Sequence, residues 1–251
     1  MYQLLSSTRY DQHLSSLAWN NDPAGPSPFF LLPYHFERLT EAAEQHGWEK
    51  TNQSHSYEKL KEKCIETTKD VEPSQVVKLR ITLSQNGELN VTVSNVSSFL
   101  SDPVRLAYVN PAIEVPWENE NIISVRLDHQ STPSSIFTRT KTTHRKLYDE
   151  ARARGKISSP ASEIVLFNED SLITEASISN VCFFRDGRWL TPSVSTGCLP
   201  GVMRKWLLEK RLVDEDDEGG LTVASISDGE WVLLSNGVWG CRLGRITGEE
   251  S

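Results

Sequence analysis

No stretch of this 251-residue chain approaches the roughly 18 consecutive apolar residues that a membrane-spanning helix needs. The opening residues, MYQLLSSTRYDQH, have neither the basic start nor the apolar core of a secretory signal, so no export is expected. Cysteine is scarce and scattered: Cys64, Cys182, Cys198 and Cys241 form no CxxC pair. That spacing argues against a zinc site, and no metal is expected. The four read as free thiols of a reducing compartment, with the cytoplasm as the default address. Positive charge is also in deficit. There are 26 Lys and Arg against 34 Asp and Glu, a net charge of -8, which is not the footprint of a nucleic-acid or anionic-membrane binder. GxGxxG and GxxxxGK[ST] are missing, which argues against dinucleotide and P-loop sites, and so are GxSxG and HExxH. No internal repeat is visible.

What is present fits a soluble folded protein. Hydrophobic residues make up 37% and charged residues 24%, and the length suits one large domain or two small ones. LLSSTRYD (4–11) reads as a strand and NNDPAGPSP (20–28) as a loop. PYHFERLTEAAEQHGW reads as a helix: Phe36, Leu39 and Ala43 recur at helical spacing and Gly47 stops it. A charged helix follows near 56–69. VVKLRITLSQNGELNVTVSNV is a hairpin turning at Asn86-Gly87. Residues 102–120 are irregular, and 121–128 is a further strand. HQSTPSS (129–135) is a polar connection between domains. Beyond it come a helix over about 144–154, strands in EIVLFNED and SLITEAS, and a hairpin in NVCFFRDGRWLTP. LPGVMRKWLLEKRL is a helix, DEDDEGG (214–220) a solvated loop, and EWVLLSNGVWGCRLGRI closes the chain with strands. This order lacks a steady βαβ alternation and argues for α+β with antiparallel sheets.

Four places suggest chemistry. Lys141 follows a β-branched, strand-like run and precedes a helix. Alone it reads as an ordinary surface lysine, or as a nucleophile held at a strand end. Glu175 sits among apolar and small residues in LITEASISNVCFF; it is either exposed or a carboxylate facing a cation, since burial without a partner is costly. Gly201 opens a helix in TGCLPGVMRKWL. Helix N-termini carry unsatisfied N–H groups that bind phosphate, although many Pro-Gly starts are only turns. The Ser-Asn-Gly turn of LLSNGVWG is either a plain turn or an anion nest. One cofactor uses all of these together: pyridoxal 5'-phosphate needs a lysine, an acid for its ring nitrogen and a phosphate cup.

With these motifs in order, the sequence resembles the fold-type IV pyridoxal-phosphate enzymes, the class IV aminotransferases and their lyase relatives. PYHFERL is similar to the family's HxxRL helix, whose arginine holds the phosphate, here Arg38. TKTTHR matches the lysine motif and makes Lys141 the Schiff-base residue. TEASISNVCF matches ExxxSN and makes Glu175 the partner of the ring nitrogen. PGVMR matches the helix start whose amides, here those of Val202 and Met203, cup the phosphate. The LSNGV turn, with Asn236 and Gly237, falls where the family's last phosphate loop lies. The resemblance runs from about residue 4 to 246. It implies a two-domain architecture like that of D-amino acid aminotransferase, with antiparallel sheets and flanking helices. The expected division is a smaller domain at 1–130 and a larger one at 131–251 carrying the lysine. The resemblance also implies a homodimer.

Within the family the chain looks most like fungal-type 4-amino-4-deoxychorismate lyases, on LLSSTRYDQHL, FFLLPYHFERL and RTKTTHRKLYDEARAR. That implies release of pyruvate and 4-aminobenzoate, a folate precursor, from a small substrate with two carboxylates. Arg9, Arg80 and Arg139 are candidates to meet them, because a guanidinium fork matches a carboxylate. Arg145 either lies near the cofactor or begins the helix. The family usually carries Glu where Ser6 stands before Arg9. A transaminase acting on branched-chain or D-amino acids or on amines shares the same motifs, and a non-catalytic binding relative is the alternative of another class.

Overall fold

The computed structural model describes residues 2–49, 51, 55–99, 101–113, 121–159 and 161–248. The chain divides into two compact units. One holds Met1–Asp102 together with Thr140–His144 and Gly237–Trp239; the other holds Pro103–Arg139, Arg145–Asn236 and Gly240–Ser251.

In the first unit, β1 (Leu4–Tyr10), β4 (Val77–Leu83) and β5 (Leu89–Asn95) form an antiparallel sheet in the order β1-β4-β5, and β2 (Asn21–Asp22) pairs with β3 (Gly25–Pro26). The hairpin read from Asn86-Gly87 is the β4–β5 pair, with Gly87 at φ 85°. Alternate residues of a strand face opposite sides, so Leu4, Ser6, Thr8 and Tyr10 share one face of β1. Their partners Leu83, Ile81, Leu79 and Val77 share the same face of β4. Helix α1 (Leu32–Gln45) covers this face with Leu32, Leu39, Ala42 and Ala43, and α2 (Tyr57–Thr68) adds Leu60 and Cys64. Each buried leucine contributes roughly 1.5–3 kcal/mol. Two further buried residues of α1 are polar, His35 and Arg38. The helix begins after Leu31 at φ 51°, a left-handed conformation that costs a branched residue energy. Asn20 holds that turn: its Oδ1 accepts from Leu31 N at 2.9 Å, and its Nδ2 donates to the Ser27 carbonyl at 2.8 Å.

The second unit is built on an eight-stranded sheet. Its order is β11 (Asp214–Asp216), β10 (Arg188–Pro192), β9 (Asn180–Arg185), β12 (Trp231–Asn236), β13 (Gly240–Ile246), β6 (Ile123–Leu127), β7 (Ser162–Phe167) and β8 (Ile173–Ala176). The pairings are antiparallel except β10–β11, β13–β6 and β6–β7. Val125, Val165, Ile173, Val181, Phe183 and Val232 are buried along one core. Tyr148 and Ala151 of α4 (Lys146–Arg154) pack on Ile164 and Leu166 of β7. Helix α5 (Val202–Glu209) follows β10 and a short turn.

Four sequence expectations need revision. The first unit ends at Asp102 rather than near residue 130, because β6 hydrogen-bonds between β13 and β7 of the larger sheet. HQSTPSS therefore lies within the second unit. The run before Lys141 is not a strand: Ile136–Arg139 forms one helical turn, α3. The acidic stretch supplies β11, and Asp216 is buried, accepting from Gly220 N at 3.0 Å and Leu221 N at 2.8 Å. The expectation that 102–120 is irregular holds for 109–113, while Arg105–Tyr108 is a short 3-10 turn and 114–120 lie outside the described residues.

Candidate active site

Lys141 belongs to the first unit, not to the larger one. Its segment is extended and lies along β1. The Lys141 carbonyl accepts from Leu5 N at 2.8 Å, Thr142 bridges Leu4, and Thr143 N donates to the Gln3 carbonyl at 2.9 Å. Gln3 N donates in return to Thr143 Oγ1 at 2.9 Å. Thr140 is tied to the end of α1 by a 2.8 Å hydrogen bond with His46 Nε2, and His46 Nδ1 meets Tyr2 Oη at 2.8 Å. The main chain around Lys141 is thus fixed, while its side chain is half-buried.

Beside this segment lies a polar cluster that no apolar core requires. Arg38 Nη2 donates to Ser6 Oγ at 2.7 Å, and Ser6 Oγ pairs with His35 Nδ1 at 2.8 Å. Ser6 and His35 are fully buried. The His35 pKa is held well below its ordinary value, first by burial and then by the cations Arg38 and Lys141, with the Phe30 carbonyl opposing. His35 is therefore neutral. Ser6 Oγ thus links the Arg38 guanidinium to the His35 imidazole.

Arg9 and Arg80 lie on the other face of the β1–β4 sheet. Arg9 is an odd number of residues from Ser6, and Arg80 is paired with Ser7. Arg9 is fully buried, with its guanidinium 3.8 Å from the centre of the Phe99 ring and 5.5 Å from that of Trp239. It donates to the Ser97 carbonyl. Arg80 is exposed. In the second unit, Arg139 is exposed at the end of α3.

Glu175, on β8, is 4% exposed. Its Oε1 accepts from Tyr148 Oη at 2.8 Å and from Leu199 N at 3.2 Å. Two neighbours register its negative charge. Burial and Glu175 hold the Tyr148 hydroxyl well above its ordinary value, and burial followed by Glu175 pushes the Cys198 thiol up to about 12. Cys198 is therefore a thiol and not a nucleophile.

Asn180 closes the motif that begins at Glu175. Its Nδ2 donates to the Leu199 carbonyl at 2.8 Å. Its Oδ1 lies 1.8 Å from where a Cβ on residue 201 would stand, so only glycine fits there. Gly201 is the N-cap of α5 and gives the helix no side-chain cap. Val202 and Met203 are buried in the first turn. A buried helix start without a capping side chain is suited to an anion. Asn236 reaches the turn before Asn180, donating to the Ile178 carbonyl at 3.4 Å and to Ser179 Oγ at 3.3 Å. Gly237, next in the chain, groups with the first unit.

Sequence reading missed Ser6, His35, Tyr148 and Asn180. His35 and Asn180 lie inside the HxxRL and ExxxSN matches, and Tyr148 lies on the buried face of α4 with Ala151.

The sequence model of the amino-transferase class IV family matches residues 18–245. The chain belongs to this family. Among its class IV relatives is a Schizosaccharomyces pombe protein provisionally named aminodeoxychorismate lyase. It is 32% identical over 210 residues, covering 82% of this chain and 80% of the relative. The fold is shared with a 4-amino-4-deoxychorismate lyase from Pseudomonas aeruginosa, at TM-score 0.63 and 17% identity over 99% of this chain and 84% of that one. It is shared also with a hypothetical aminotransferase from Mycobacterium tuberculosis in its α-ketoglutarate and PMP bound form. There the TM-score is 0.65 and the identity 15%, over 97% of this chain and 81% of that one. The class IV architecture is thus α+β, as read from the sequence. Among the described residues no helix is long and apolar enough to cross a membrane.

Proposed function

We propose that this protein is a pyridoxal 5'-phosphate-dependent lyase that converts 4-amino-4-deoxychorismate to 4-aminobenzoate and pyruvate. The observation that carries the cofactor is Glu175, a buried carboxylate with Oε1 pinned by Tyr148 and Leu199 N–H. Such a group suits a protonated ring nitrogen, because a carboxylate held out of water attracts a nearby cation strongly. The donor set fits the rest of the group. Arg38 and the uncapped N–H groups of Val202 and Met203 would hold the phosphate, and the Asn236-Gly237 turn would border it. Relatives named aminodeoxychorismate lyase favour the lyase over a transaminase.

Bound pyridoxal phosphate supplies the electron sink for a substrate carbon bearing the amine. Lys141 would anchor it, and its Nζ is the group that would carry the proton from that carbon. The held main chain at Lys141 limits where Nζ reaches, which is the benefit of positioning. Glu175 keeps the ring nitrogen protonated. Arg9 is stacked on Phe99, so Arg80 and Arg139 are the accessible arginines for the substrate carboxylates.

The same reading includes a homodimer in the cytoplasm. Exposed Tyr108 and Ile113 support an interface, and four buried free thiols suit a reducing compartment. Sedimentation tests the first: a monomer at working concentration would count against it. The function itself is tested by reducing the cofactor-loaded protein with borohydride and mapping the adduct, then assaying 4-aminobenzoate. An adduct on Lys141 with release of 4-aminobenzoate and no requirement for an oxo acid is expected. Conversion of the cofactor to its amine form by an amino donor, without 4-aminobenzoate, would point to the transaminase.

A further inference from the structure

Glu163, on β7, is a carboxylate that none of the sequence motifs contains. It is 2% exposed, yet both of its oxygens are engaged. Ser177 Oγ donates to Oε2 at 2.8 Å, Ile178 N to Oε2 at 3.2 Å, and Ser179 Oγ to Oε1 at 2.8 Å. All three donors belong to the turn that joins Glu175 to Asn180. The turn is also held from outside. Arg152 Nη1 donates to Ser177 Oγ at 2.9 Å, Arg145 Nη2 to the Ser177 carbonyl at 2.8 Å, and Asn236 Nδ2 to Ser179 Oγ at 3.3 Å. Each serine hydroxyl thus accepts from an outer group and donates inward to Glu163. Burial raises the Glu163 carboxyl above its ordinary value, and the three donors with Arg152 oppose the rise.

We propose that Glu163 is a positioning residue whose carboxyl group fixes the Ser177–Ser179 turn. It thereby sets Glu175 at one end, and at the other Asn180 with the Leu199–Gly201 approach to α5. The inference deepens the proposed function and rests on it, since that reading assigns these two ends to the ring nitrogen and the phosphate. Packing alone would not call for a carboxylate here. An apolar side chain would avoid the desolvation cost but leave three donors unmet.

The test uses Glu163→Gln, which keeps the size but turns one acceptor into a donor. Asp128→Asn is the control. Asp128 is likewise buried, pairs with Arg154 at 2.6 Å, and makes no bond to the turn. Wild type and both variants are titrated with pyridoxal 5'-phosphate, read by the visible spectrum, and unfolded in urea alongside. E163Q is expected to raise the cofactor dissociation constant about tenfold, the lower end for loss of a residue supporting a binding group. It should also move the visible band at saturation, because the carboxylate beside the ring nitrogen has shifted. D128N should lose stability while leaving both readings within about twofold of wild type. An E163Q protein that loses only stability, as D128N does, overturns the proposal. If E163Q does not fold, Glu163→Asp keeps the carboxyl group but shortens its reach; a displaced saturated band supports the proposal and an unmoved one overturns it. A wild type that binds no cofactor sinks the underlying function, and the proposal with it, before any variant is read.

Discussion

The main-chain carbonyl of Lys141 accepts a hydrogen bond from the N–H of Leu5 at 2.8 Å. The lysine is therefore held in place through its backbone. Lys141→Ala keeps these backbone bonds, so the protein should stay folded with a loss of about 0.5–3 kcal/mol, the usual range for a single substitution. Lyase turnover should fall on the order of a thousandfold or more, and borohydride should fix no cofactor. Urea unfolding and peptide mapping check the two halves. Normal turnover in the Lys141→Ala protein would remove the assignment.

Asn180 and Gly201 form a second close pair. An alanine at 201 would put its Cβ 1.8 Å from Asn180 Oδ1, so the asparagine must leave and its bond to the Leu199 carbonyl must break. Gly201→Ala should cost about 1–3 kcal/mol and weaken cofactor binding about tenfold or more. Adding Asn180→Ala makes room for the methyl group. The double variant should then lose less than the sum of the singles, a coupling that a double-mutant cycle reads directly. Additive losses would show that the two residues do not meet.

His35 predicts a pH dependence. Its folded pKa is depressed by burial and by the Arg38 and Lys141 cations, so the folded protein keeps it neutral while the unfolded chain binds a proton near pH 6.5. As pH falls below about 6.5 the unfolded state binds more protons, and stability must fall. The loss is at most about one proton's worth, roughly 1 kcal/mol per pH unit. His46 and His55 are shifted in the same direction by burial, so the comparison with His35→Gln isolates the term. Urea unfolding between pH 7 and 5 should show a shallower slope in the variant.

Local patterns were legible and long-range pairings were not. The hairpin at Asn86-Gly87 and helix α1 follow from turn chemistry and a 3.6-residue apolar period, both written in neighbouring residues. The docking of Lys141 on β1 depends on residues far apart in the chain, and the threonine-rich run before it imitated a strand. β6 looked like part of the first half because nothing in its own five residues reveals that its partners are β13 and β7. The acidic 214–220 stretch read as solvated because a sequence does not show that Asp216 turns inward to cap Gly220 and Leu221. Ser6 and Glu163 were not singled out as site residues, and neither were His35 and Asn180 inside their motifs, since their importance lies in which side chains they touch.

Ser6 illustrates the last point and yields the final prediction. Its place in the family pattern usually holds a glutamate, and a small residue there looks like a lost function. The structure gives it one. Its hydroxyl accepts from Arg38 Nη2 and shares a hydrogen bond with His35 Nδ1, joining the candidate phosphate arginine to a neutral buried imidazole. Ser6→Ala removes both bonds in a fully buried place, so the arginine loses one acceptor and Nδ1 of the imidazole its partner. Stability should fall by about 1–3 kcal/mol, the cost of stranding buried polar groups. Arg38 would lose the contact that aims it, and affinity for pyridoxal 5'-phosphate should fall several-fold. Affinity for pyridoxal lacking the phosphate should change little. Equal weakening of both ligands would mean that Ser6 supports the fold and not the phosphate arginine.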